Sequence, residues 1–112
     1  MKPNLPIVAF ASLAELHTWL EHNHTSSKGI FVRIYKKASN MSSVSFEDVL
    51  EEGLCFGWSE SVRLVGDDQS YLQKFTPRLN KGTTSERNRR YATRLIKEGR
   101  MQPSGLAALG DL

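Results

Sequence analysis

The sequence predicts an α+β domain: a small, mostly antiparallel sheet of three to four strands packed by three to four helices. Three observations carry this. Apolar residues switch repeatedly between alternation and helical spacing along the chain. Serines at positions 12, 45 and 85 each stand where a helical pattern begins. A turn of the type Gly66-Asp67-Asp68-Gln69 separates two strand-like runs. At 112 residues, with 39% hydrophobic residues, the chain fits a single domain with one modest core.

The elements follow in order. Ile7 to Phe10 is a short strand. Ser12-Leu13-Ala14-Glu15 is a capping box, in which the Ser12 hydroxyl accepts from the Glu15 amide and Glu15 reaches back. The helix runs to about His24, with Leu13, Leu16 and Leu20 as its stripe and Trp19 beside it. Ile30 to Tyr35 reads as a central strand, because Ile30, Val32 and Ile34 share one face and Phe31, Arg33 and Tyr35 the other. Ala38 to Ser43 is a polar loop. Ser45 then caps a helix with Asp48 in its first turn and Phe46, Val49, Leu50 and Leu54 on its apolar face.

Leu54-Cys55-Phe56-Gly57-Trp58 is the most informative stretch. A helix must give way to a strand there, and Gly57 can adopt the backbone angles such a bend needs. Strands over Ser61–Val65 and Ser70–Thr76 form a hairpin, stopped by Pro77. Ser85 caps a third helix whose buried stripe is Tyr91, Ala92, Leu95 and Ile96, with Glu86 and Arg90 as an i,i+4 pair. Gly99 fits the position just past its end. Pro103 to Leu109 makes one more short helix.

Composition excludes several classes. No apolar run approaches the roughly 20 residues of a membrane helix, and Met1 to Phe10 lacks the apolar core of a secretory signal. A cytoplasmic protein is the expectation. The single cysteine, Cys55, rules out an internal disulfide and a multi-cysteine metal site. Between Leu54 and Phe56 it reads as a buried apolar residue rather than a reactive thiol. His17 has no metal-binding partner at i+4, and His22 and His24 do not share a helix face, so neither a metal nor a cofactor is expected. No nucleophile elbow, phosphate loop or dinucleotide fingerprint is present.

Charge is uneven. Lys74 to Arg100 holds nine Lys/Arg against two Glu, a net of +7, whereas the rest carries −4. Two site readings follow. Strand ends and the junction place cations with aromatics at Lys36, Lys37, Trp58, Glu60, Arg63, Tyr71 and Arg78, a set able to hold an anionic or planar ligand or a protein partner. The structural alternative pairs Glu60 with Arg63 and leaves Trp58 in the core. Separately, Arg87, Arg90, Arg94 and Lys97 on the third helix can track phosphates of a nucleic acid, or form a solvated helix face.

Tyr35-Lys36-Lys37, Leu54 to Trp58, Phe75-Thr76-Pro77-Arg78, and Asn88 through Met101 with Pro103 to Leu106 resemble the YdeI/OmpD-associated (bacteriocin-protection) family, in family order. The resemblance implies a bacterial protein with a stress or resistance role and supplies no established reaction. The chain departs from that pattern at Ser59-Glu60, where Ile-Asp is usual, and at Thr84, where Trp is usual. The expected function is therefore binding of a ligand or partner without catalysis. The alternatives are nucleic-acid association and an enzyme of unknown reaction.

Overall fold

The computed structural model describes residues 4–78 and 85–109. Its elements are β1 (Ile7–Ala9), α1 (Leu13–Asn23), β2 (Ile30–Tyr35), α2 (Phe46–Phe56), β3 (Trp58–Val65), β4 (Ser70–Pro77), α3 (Glu86–Lys97) and α4 (Pro103–Leu109). A 3-10 turn over Lys37–Ser39 interrupts the expected polar loop. The four strands form one sheet in the order β1-β2-β4-β3. β1 runs parallel to β2, and the two other pairings are antiparallel. The fold is thus the α+β class expected, with a mixed sheet in which antiparallel pairs predominate.

Capping chemistry sets the helix starts. Ser12, Ser45 and Ser85 all accept hydrogen bonds from amides three residues on. At α2, Asp48 returns the bond to the Ser45 amide and completes a capping box. α3 ends in a Schellman arrangement: the amides of Gly99 and Arg100 donate to the carbonyls of Ile96 and Leu95.

One face of the sheet carries the core. Ile30, Val32, Ile34 and Phe75 join Leu16, Leu20, Val49, Leu54, Leu95 and Leu109, so that side chains from all four helices meet this face. Phe31 and Leu72 point to the opposite face; they are buried but stand outside that cluster. The helix faces differ from the expected stripes. Leu13 and Ile96 are exposed, at 37% and 41%. α1 turns Leu16, Trp19 and Leu20 inward instead, and α3 buries Ala92 and Leu95 with Tyr91 packed alongside. The i,i+4 ion pair observed on α3 is Arg94–Glu98, not Glu86–Arg90.

α2 is the most enclosed helix, buried at Val49, Leu50 and every position from Glu52 to Phe56. Gly57 ends it with φ at 81°, and a Cβ there would come 2.7 Å from the Ser104 carbonyl oxygen. Gly105 of α4 lies flat against the end of α2, where a Cβ would overlap the Cys55 and Leu54 carbonyl oxygens. Gly105→Ala is therefore expected to cost about 2–3 kcal/mol by forcing α4 off α2. Gly99→Ala meets nothing within 4 Å and should cost only the left-handed strain, about 1 kcal/mol. Urea unfolding of both variants checks this, and equal losses would refute the close α2–α4 contact.

Candidate functional site

The seven residues predicted as one ligand site do not converge. Lys36 and Lys37 are exposed at the hairpin end of the sheet, where the Lys36 Nζ reaches the Asp68 carbonyl oxygen at 3.4 Å. Arg63 lies 4.2 Å from the Tyr71 ring centroid and 5.5 Å from that of Phe46, on the helix side near the same end. Arg78 is seven residues beyond Tyr71 along β4, roughly 23 Å away. Trp58 is corrected outright: at 2% exposure it is core, packed edge-on against Trp19 and against Phe75, with its indole N–H donating to the His24 carbonyl. An indole offers buried area and one donor, and both are satisfied inside.

Glu60 pairs with Arg87 of α3 at 3.2 Å, not with Arg63. Burial pushes its carboxyl above the ordinary range, opposed by the charges of Arg87 and Arg78. A β-bulge between Glu60 and Arg63 explains why both face the helices despite their odd spacing. Gln73, at 1% exposure, donates to the Val62 carbonyl inside that bulge.

The basic residues of α3 are divided. Arg87 and Arg94 are held by acids, Arg94 reaching Glu51 at 2.6 Å and Glu98 at 3.2 Å. Arg90 and Lys97 have no ion pair among the described residues. Tyr91 packs on the core, and Arg94 sits over its ring at 5.6 Å. Thr84 lies outside the described residues.

A cleft of about 880 Å³ opens on the sheet where β3 starts and β4 ends. Antiparallel pairing makes it. Ser59 faces Thr76 in register, while the β2–β4 register sets the α1–β2 loop, Thr25 to Lys28, beside the same end of β4. Lys74 and Thr76 alternate along β4 and so share the cleft face, and Arg78, just past the strand's end, lines the cleft with them. Among the described residues three cations and six hydroxyls line it, and no carboxylate, histidine or aromatic does. Lys28 and Lys74 have no ion pair among the described residues. Of the seven predicted residues only Arg78 belongs here. The remaining lining residues are legible in the sequence only as isolated polar residues, since their meeting depends on strand register.

A second polar cluster ties α1, α2 and the α3–α4 connection together. Glu52, 3% exposed, accepts from His17 Nδ1 at 2.7 Å and from Arg100 at 3.0 Å, and Arg100 also meets Glu51 at 3.1 Å. His17 Nε2 stands 3.7 Å from Glu21, an i+4 acid that the sequence reading passed over. Among the described residues no three His, Cys, Asp or Glu side chains gather as a metal site. Cys55 is fully buried, and burial first, then the Glu52 charge, pushes its thiol up to about 12.

A thiol raised in the fold stabilises the protein fully below its unfolded value, about 8.5. That stability is lost as pH climbs toward about 12. Native Cys55 should therefore label slowly with a thiol reagent at neutral pH and rapidly after unfolding. Cys55→Ala should flatten the alkaline loss of stability and cost about 1–2 kcal/mol at neutral pH. Fast native labelling would contradict the burial. Arg100→Met should cost about 2–3 kcal/mol by leaving the Glu52 carboxylate short of a partner, and adding Glu52→Gln should recover part of it. Thermal unfolding of the two variants gives the answer; strictly additive losses would deny the coupling.

Residues 8–108 match a family described as a domain of unknown function (DUF8412). No curated protein and no solved structure matches the chain. Nearly the whole described fold, from β1 to α4, lies within the matched span, and the chain belongs to the DUF8412 family.

Proposed function

We propose that this chain is a binding domain, without catalysis, that takes an anionic ligand in the cleft between the α1–β2 loop and the β3–β4 strands. The observation that carries this is the pairing state of its cations. Arg100 and Arg94 are already matched by Glu51, Glu52 and Glu98. Lys28 and Lys74 face the cleft with no carboxylate among its described lining residues. An incoming anion therefore gains charge-assisted bonds there without displacing an acid. Among the described residues the cleft lining also has no histidine, cysteine or carboxylate to move a proton, which favours binding over turnover. The YdeI/OmpD-like motifs would place such binding in a bacterial stress or resistance role.

Titration with inorganic phosphate and pyrophosphate at low salt tests the reading. Both should perturb backbone amides of Thr25–Lys28 and of β4. Lys74→Gln and Lys28→Gln should each weaken pyrophosphate about tenfold while leaving the melting temperature unchanged. Absence of binding at low salt would overturn the proposal. Nucleic-acid association predicts a different result: single-stranded DNA binding that falls steeply with salt and is lost in Arg90→Gln with Lys97→Gln, not in Lys74→Gln.

A further inference from the structure

We infer that His17 and Glu21, one turn apart on α1, form a site for a transition-metal dication of the zinc type, with Glu52 holding the imidazole from behind. The first observation concerns a proton. One oxygen of Glu52 lies 2.7 Å from His17 Nδ1, and the other meets Arg100 at 3.0 Å. A carboxylate has no hydrogen to donate, so Nδ1 carries the one in that bond. The neutral imidazole then presents its lone pair at Nε2. A buried carboxylate behind a histidine is the arrangement that fixes the tautomer and orientation of metal-binding imidazoles and raises their basicity.

The second observation is what Nε2 faces. Glu21 Oε1 stands 3.7 Å away, too far for a direct hydrogen bond. Zinc binds imidazole nitrogen and carboxylate oxygen at about 2.0–2.2 Å each, and a tetrahedral angle puts the two donors roughly 3.4 Å apart. A shift of roughly 0.3 Å in the Glu21 carboxylate therefore closes the chelate. The His17 and Glu21 side chains are 39% and 54% exposed, which leaves the outer positions of the ion to water. Charge favours a cation here. The connected ion cluster sets Glu21, Glu51, Glu52 and Glu98 against Arg94 and Arg100, four acids to two cations. That excess of acid lies on a chain whose net charge is +3. With no third protein ligand among the described residues, the site is open rather than a closed structural one. An imidazole donor selects zinc-type ions over magnesium and calcium, which take oxygen ligands. The expectation that His17 lacks a metal-binding partner at i+4 is thereby corrected, because Glu21 occupies that position.

Calorimetric titration of zinc chloride into the full chain, in a buffer that does not bind metal, tests the site. One ion per chain should bind, and magnesium chloride should not. Glu21→Gln, a change at an exposed side chain, should weaken zinc about tenfold with the melting temperature of the metal-free protein unchanged. His17→Asn should abolish the binding. His22→Asn and His24→Asn should leave it intact, since their Nδ1 atoms turn to the Thr18 and Leu20 carbonyls. In imidazole nitrogen spectra, zinc should shift His17 Nε2 while Nδ1 keeps its hydrogen. Unchanged zinc affinity in Glu21→Gln would overturn the chelate, and so would equal binding of magnesium. Coordination at His17 Nδ1 in place of Nε2 would overturn the supporting role of Glu52. Absence of zinc binding by the full chain would remove the site.

Discussion

The closeness of α2 to its neighbours is the constraint on which the rest of the structure depends. This helix is buried on nearly every side, and α4 approaches so near that Gly105 must be a glycine. Such enclosure leaves no solvent for the one acid in its buried stretch, Glu52. A buried carboxylate is tolerable only when its lone pairs are met. His17 from α1 and Arg100 from the α3–α4 connection meet them. The ion cluster is thus a consequence of packing, and it fixes how α1 and the C-terminal helices sit on α2.

The same packing sorts the two faces of the sheet. Trp58 leaves Gly57 pointing inward, completes the aromatic series Phe10, Trp19, Trp58 and Phe75, and so directs Ser59 outward. From there the face opposite the helices inherits Ser59, Thr76 and Lys74 by strand alternation alone. The cleft and the core are two sides of one register. The bulge past Glu60 then returns Arg63 to the helix side, where its guanidinium lies over the Phe46 and Tyr71 rings. Without that extra residue Arg63 would stand with Ser59 and Ser61.

Local chemistry was legible in the sequence, and meetings between distant segments were not. The serine caps, the Gly57 bend, the hairpin and the Gly99 cap all follow from residues within one turn of each other. The error at Leu13 has a physical cause: periodicity identifies a stripe, but neighbouring elements decide which edge of it is covered. Trp58 and Arg63 failed as site residues because their faces are set by the core and by a bulge. Lys28, Ser59 and Thr76 gave no signal, since a serine or lysine beside a strand is common and only the β2–β4–β3 register assembles them.

The basic C-terminal third likewise misleads as a sum. Its net charge of +7 suggests one continuous patch. In the fold, Arg87, Arg94 and Arg100 turn to Glu60, Glu51 and Glu52, acids drawn from the rest of the chain. Part of the sequence asymmetry is therefore internal pairing between α3 or its following turn and the α2–β3 segment. The Arg87–Glu60 and Arg94–Glu51 pairs are part-exposed and add little stability individually. Their larger effect is on recognition, because a guanidinium already held by a carboxylate must exchange one partner for another to bind an anion. Lys28 and Lys74, with no ion pair among the described residues, need no such exchange, and this difference in pairing, not the local density of positive charge, is what supports the proposed anion site.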